Sequence, residues 1–314
     1  MLRALPLYRL DFAVQTATGL KFPAADHGFK GSAWHGRIDH VIRRHPGLMA
    51  LRPEAGRAGA PSPYWIEAPE ERSDTAKGPF SPNAYPPGHA FTLSVFVAAR
   101  ELDADMVQGL IEAVQHAGAV DPAQLTDTRS AAQRLSGRFV AKALGVQRFP
   151  TSDATPPVSP RSQATLGLEW VTMLRLDDGE TLREASTALR QGRMWVPRLS
   201  LLASKLLDRC QGLGLVSGAP WLAPALAAVV GQLGQHEASI QVVSAQVFPC
   251  DFSRLSARAG RRDPLGGLIG RATYVGSADL MAEAHAVFRL AEWTRIGRKT
   301  NLGAGRIRVS FQTC

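Results

Sequence analysis

Read for apolar periodicity, the chain runs strand–helix–strand–strand–helix and then begins the same order again. That order predicts an α+β fold of two tandem ferredoxin-like (RRM-like, split βαβ) modules. A length of 314 residues is enough for two ordinary domains with their own cores. The composition, 45% hydrophobic and 20% charged, is that of a globular protein. The expected boundaries are 1–120 for the first module, 121–165 for a basic helical insertion and a Pro/Ser-rich linker, and 166–314 for the second module with a Gly-rich loop.

In the first module Tyr8, Leu10, Phe12 and Val14 alternate with polar or small residues, which predicts a half-buried strand. A glycine-bearing loop, "DHGFKGS", leads into "AWHGRIDHVIRRH", a short helix with Trp34, Ile38, Val41 and Ile42 on its apolar side. "PYWIEAP" and "FTLSVFVAA" (Phe91–Ala99) read as strands, and "ADMVQGLIEAVQHAG" as a helix ending at Gly118. The second module starts at the strand "LGLEWVTMLRLD". An apolar helix, "RMWVPRLSLLASKLLDRCQGLG", follows it. Strands "ASIQVVSAQVF" and "GGLIGRATYVG", helix "ADLMAEAHAVFRLAEW" and a last strand, "GRIRVSF", complete the order.

Between the modules, "LTDTRSAAQRLSGRFVAKALG" reads as helical, with Thr126, Asp127 or Thr128 as N-cap and Gly145 as its end. Arg134, Arg138 and Lys142 fall four residues apart, on one face of such a helix, with no acid in the stripe. They are expected to contact nucleic acid. "FPTSDATPPVSPRSQ" is the linker.

Charge narrows the partner. Lys plus Arg is 36 against 27 acids, a formal net charge of +9, which favours a polyanion. The three cysteines, Cys210, Cys250 and Cys314, are odd in number and form no close pair, so a reducing compartment is expected and a zinc site is not. "MLRALPLYRLDF" lacks the continuous apolar core of a signal peptide, and no apolar run is long enough to span a bilayer. A cytoplasmic protein with no membrane partner is expected.

"GRKTNLGAG" (Gly297–Gly305) suggests a phosphate-binding loop. It is not a P-loop, because Lys299 and Thr300 precede Gly303 instead of following a second glycine. It is not a dinucleotide loop either. Arg308 stands where the third glycine belongs, and a helix precedes the loop where a strand is required. What remains is a loop whose glycines let backbone N–H groups approach an anion, ringed by Arg298, Lys299, Arg306 and Arg308. From Ile240 to Cys314 there are 11 Lys and Arg against 5 acids, a surface suited to an extended phosphate backbone. Gly297, Arg298, Lys299, Thr300, Asn301, Gly303, Gly305 and Arg306 are the expected RNA-binding residues here, with Arg43 and Arg44 on the first helix.

Three stretches together resemble the CRISPR-associated endoribonucleases of the RAMP superfamily that cut precursor CRISPR RNA. "GRKTNLGAGRIRV" is similar to their Gly-rich loop and following strand. "DFSRLSARAGRRDPLGGLIGRATYVG" is similar to the segment upstream of it, and "GSAWHGRIDHVIRR" to their first-helix region. The Gly-rich loop is shared with non-catalytic RAMP proteins. A helical insertion would fit the divergent type IV variant.

The resemblance implies metal-independent cleavage with no cofactor. The 2′-hydroxyl attacks the adjacent phosphate and leaves a 2′,3′-cyclic phosphate. The partners implied are a CRISPR repeat stem-loop and the other Cas proteins of an effector complex. Such chemistry needs a base, an acid and cations on the phosphorane. Histidine suits the first two roles. Four of the eight histidines, His27, His35, His40 and His45, lie in or near the first helix. His35 stands where the family pattern often has arginine. The candidate catalytic residues are His40, His35, Arg37 and Arg258, and Tyr8 could orient the 2′-hydroxyl. Two alternatives stay open: a non-catalytic RAMP subunit that holds crRNA, and a basic RNA-binding protein of translation.

Overall fold

The structure, a computed structural model, describes residues 5–22, 31–51, 62–67, 84–120, 135–150, 162–176, 179–191, 193, 195–250, 253–256, 261–264, 267–298, 300 and 304–313. In the N-terminal module, strand β1 (Leu7–Thr16) alternates as expected, with Leu10, Phe12 and Val14 in the core. A two-residue strand β2 (Leu20–Lys21) leads to helix α1 (Gly31–Ile42), which buries Trp34, Ile38, Val41 and Ile42 at three- and four-residue spacing. Strand β3 (Tyr64–Glu67), the short β4 (Ala84–Tyr85), strand β5 (Ala90–Ala98) and helix α2 (Ala104–Ala119) follow. Asp103 caps α2 by accepting from the Met106 amide at 2.7 Å.

The next element corrects the sequence reading. Residues 139–148 form no helix. They are strand β6 (Phe139–Arg148), paired antiparallel with β1, and complete a sheet of order β3-β5-β1-β6. Phe139 and Ala141 point into the core while Val140, Lys142 and Leu144 are exposed. A four-residue spacing of basic residues puts them on one face of a helix, but an even spacing also puts them on one face of a strand. The Arg138–Lys142 interval therefore cannot choose between the two, and the Phe–Ala–Ala alternation does. Gly118 is required by the same contact: a Cβ there would stand 2.3 Å from the Phe139 carbonyl oxygen. The first module thus extends to Arg148, inside the segment assigned above to an insertion. Arg134 lies outside the described residues.

The C-terminal module repeats the order with an enlarged helical layer. Strand β7 (Gln163–Leu174) is followed by helices α3 (Gly179–Arg190), α4 (Leu199–Gly212), the short α5 (Leu215–Gly218) and α6 (Leu222–Gln235). Strands β8 (Gln241–Cys250), β9 (Ser253–Ser256), β10 (Arg261–Pro264) and β11 (Gly267–Ser277), helix α7 (Ala278–Thr294) and strand β12 (Ile307–Thr313) complete it. Its sheet has the order β12-β7-β11-β8, the same 4-1-3-2 arrangement as the first, and β9 and β10 form a separate hairpin. Helices α3, α5 and α6 and the hairpin were not anticipated from the sequence. No described helix is long and apolar enough to cross a membrane.

The modules share a core across their seam. Leu5, Leu7, Trp65, Phe96 and Phe149 of the first belong to the same buried cluster as the helices of the second. Trp65 stacks on Phe96 with ring centroids 5.5 Å apart, and Trp293 of α7 meets Phe96 and Phe149 edge-on at 5.7 and 5.3 Å. The part of the N-terminal sheet around Trp65 and Phe96 is therefore covered by α4 and α7, while Val140 and Leu144 at its far edge remain exposed.

Candidate functional site

Helix α1 carries most of the predicted chemistry, and the structure sorts it. His35, Asp39 and Arg43 follow at four-residue intervals and share a face. Asp39 is the hub: the Tyr64 hydroxyl donates to its Oδ1, Arg43 Nε lies 2.8 Å from Oδ2, and His35 Nε2 is 3.9 Å from Oδ1. The His35 ring stacks on Tyr64 at 6.0 Å and is buried. Burial, then the Asp39 charge, pushes the Tyr64 phenol far above its ordinary range, so it stays a donor. Burial opposes the charge on Arg43, but the hydrogen bond to Asp39, the Asp39 charge and Tyr64 together outweigh it and raise its pKa.

His40 faces elsewhere. It is partly exposed, and Arg44, one turn on, donates to its Nε2. His45 pairs with Glu112 of α2 at 3.1 Å. Arg37 corrects an expectation: it is 5% exposed, and its guanidinium donates to the carbonyls of Ala117, Leu135, Gly137 and Val120 while lying 5.1 Å from the Phe139 ring centroid. It ties α1 to the end of α2 and the start of β6, with no face left for a substrate. Its place in the catalytic set is withdrawn.

The Gly-rich loop also differs from its sequence reading. Gly297 and Gly305 have positive φ, +84° and +76°, and an added Cβ would stand 2.3 Å from the Arg175 carbonyl oxygen and 1.9 Å from that of Ile296. The amides of Arg298 and Gly305 donate to the carbonyls of Arg175 and Met173 at 2.9 and 2.8 Å. These glycines seat the loop on the end of β7, and those two N–H groups do not point at an anion. Thr300 is buried, and its carbonyl accepts from Arg295. Among the described residues of the loop and the strand after it, Arg298 and Arg308 are exposed and Arg306 is part-exposed. Lys299, Asn301, Gly303, Arg258 and His27 lie outside the described residues. Arg138 is exposed and fixes Thr18 through its backbone, and Lys142 is exposed on β6. Tyr8 packs beneath Arg148, whose guanidinium lies 5.8 Å from its ring.

Strand β3 joins the two regions. Tyr64 reaches the α1 cluster from one end. At the other, the Ile66 carbonyl accepts from Arg295 at 2.9 Å and Glu67 pairs with Arg306 at 2.7 Å. Three residue steps of about 3.3 Å place these ends roughly 10 Å apart. Arg295 is nearly fully buried and has φ +67°, a conformation non-glycine residues rarely adopt, held by its bonds to Thr300 and Ile66. Arg209 lies against Trp65 and donates to the Thr294 carbonyl. Burial, then the charge of Arg295, pushes its pKa down to about 9. Sequence reasoning missed Asp39, Tyr64, Glu67 and Arg295. Among the described residues, no three His, Cys, Asp or Glu side chains are grouped to hold a metal ion.

Residues 168–307, which include α4, α7 and the Gly-rich loop, match the family of the CRISPR-associated endoribonuclease Cas6. The match covers the larger part of the C-terminal module and does not reach the N-terminal one. Solved structures share the fold across the whole chain. The product complex of a Thermus thermophilus Cas6 is 19% identical with a TM-score of 0.51, covering 98% of this chain and 100% of that one. A partial Cas6-RT-Cas1–Cas2 complex is 11% identical with a TM-score of 0.51, covering 98% of this chain and 46% of that one. At these identities the likeness concerns the fold. No curated protein matches the chain by sequence. The loop inside the matched segment and the α1 cluster outside it are linked by β3.

Proposed function

We propose that this protein is an endoribonuclease that binds the repeat hairpin of precursor CRISPR RNA, cleaves it without metal, and stays on the product in an effector complex with other Cas proteins. The observation that carries the reading is the Cas6-family match over 168–307, joined through β3 to a helix rich in histidine and arginine.

In the proposed reaction the 2′-oxygen attacks the adjacent phosphorus as its proton passes to a base. The bond to the 5′-oxygen breaks, and that oxygen takes a proton. The products are a 2′,3′-cyclic phosphate and a 5′-hydroxyl. His40 is the proton-transfer group, since it is the α1 histidine that is both part-exposed and beside a cation, Arg44. Arg43 and Arg44 stabilise the phosphorane charge. His35 is buried behind Asp39 and Tyr64 and serves as a positioning group. Arg298, Lys299 and Arg306 hold the backbone on the loop side, with Arg138 and Lys142 on the β6 side. The cognate repeat incubated with the protein in EDTA should be cut once, with a cyclic phosphate at the new 3′ end. Intact RNA would reject the reading.

A further inference from the structure

Among the described residues, Arg295 is the one non-glycine residue with positive φ. Its φ of +67° and ψ of 168° lie in a region that only glycine enters at little cost. Glycine stands two residues on, at Gly297, and again at Gly305, where the loop needs positive φ. At 295 the chain keeps arginine, so what its side chain does must outweigh the strain.

The backbone around it is clamped. The Arg295 N–H donates to the Ala291 carbonyl at 2.8 Å, and the Ile296 N–H donates to the Gly305 carbonyl at 3.0 Å. Arg209 donates to the preceding carbonyl, that of Thr294, at 3.1 Å. From this seat the buried side chain reaches two segments that lie far apart in sequence. Nη1 donates to the Thr300 carbonyl in the Gly-rich loop at 3.1 Å, and Nη2 donates to the Ile66 carbonyl of β3 at 2.9 Å. A guanidinium holds its donors in a rigid fork, so one side chain sets the spacing between loop and strand. Strand β3 is the outer strand of its sheet, paired with β5, and the hold from the second module adds to that of the sheet. Two residues before Ile66, the Tyr64 hydroxyl donates to Asp39, whose other carboxylate oxygen lies 2.8 Å from Arg43 Nε. Arg43 is half-exposed. A continuous path of bonds therefore runs from the loop through Arg295, β3, Tyr64 and Asp39 to a cation that can meet solvent.

We propose that Arg295 is a positioning residue: it fixes β3 against the Gly-rich loop and, through Tyr64 and Asp39, sets where Arg43 stands relative to RNA held on that loop. The inference rests on the cleavage reading above, and the link itself is readable without RNA. Arg295→Gly frees the backbone of strain and removes both bonds. Arg295→Lys keeps the charge without the fork, and Tyr64→Phe cuts the far end of the path. In hydrogen exchange on the RNA-free chain, both Arg295 variants should speed exchange at residues 39–43 of the first module while β8 and β11, in the module of Arg295 itself, keep their protection. With the cognate repeat, single-turnover cleavage should fall about ten- to a hundredfold in all three variants. The Kd for the 2′-deoxy repeat should stay within about threefold of the parent value. The double variant Arg295→Gly/Tyr64→Phe should be no slower than the slower single, since both break one path. Exchange at residues 39–43 that is unchanged, or raised equally throughout the chain, would overturn the proposal. So would rate losses that add in the double variant, or an affinity that falls with the rate. A parent chain that cuts no repeat would overturn the cleavage reading instead, and the exchange result would then decide the link by itself.

Discussion

Glu67 and Arg306 meet at 2.7 Å across the seam between the modules, and the same carboxylate lies 3.8 Å from the buried guanidinium of Arg295. One carboxylate at the end of β3 therefore compensates two cations beside the Gly-rich loop. Removing its charge takes away a compensating carboxylate from the buried Arg295. Glu67→Gln should lower stability by about 2 kcal/mol, read as a drop in the urea midpoint at unchanged slope. An unchanged midpoint would show that the ion pair contributes nothing.

Arg37 and His40 should separate structure from chemistry. Arg37→Ala leaves four carbonyls without their donor and should cost about 3–5 kcal/mol, measured by thermal or urea unfolding. His40→Ala touches a part-exposed side chain and should leave stability within roughly 0.5 kcal/mol, while single-turnover cleavage of the repeat falls by about 10²–10⁴.

Gly305→Ala should destabilise more than a typical surface change. The new Cβ would stand 1.9 Å from the Ile296 carbonyl oxygen at a residue with φ +76°. A loss of about 1–3 kcal/mol is expected from the strained backbone alone. RNA affinity should fall as Arg298 loses its seat, and a filter-binding series reads this directly.

His285 of α7 stacks on Phe311 at 5.2 Å. Burial, then the charge of Arg289, lowers its pKa below the ordinary 6.5. Its folded pKa is depressed, so its contribution is present above about pH 6.5 and is lost as pH falls through the lower folded value. Unfolding free energies measured from pH 7 down to about pH 5 should therefore decline less steeply in His285→Phe than in the parent chain.

The periodic signals were readable because they report burial. Leu10, Phe12 and Val14 on β1, and Trp34 and Ile38 on α1, lie where alternation and helical spacing put them. Strand β6 was not readable, because the stripe of Arg138 and Lys142 fits either period and the charges outweighed the weaker Phe–Ala–Ala alternation. In the loop, positive φ at Gly297 and Gly305 was foreseeable, but its cause is the close approach of β7 and Ile296, which only the folded chain supplies. Asp39 stands four residues before Arg43, and that pair was within reach of a helical-spacing argument. The contact of Arg295 with Ile66 spans 229 residues and leaves no local trace.

In the proposed reaction the RNA supplies its own nucleophile. A single 2′-deoxy substitution at the nucleotide before the cut site of the cognate repeat tests it most directly. This RNA should bind as tightly as the unmodified repeat and should not be cleaved. Cleavage of the deoxy-substituted RNA at the same bond and a similar rate would contradict it.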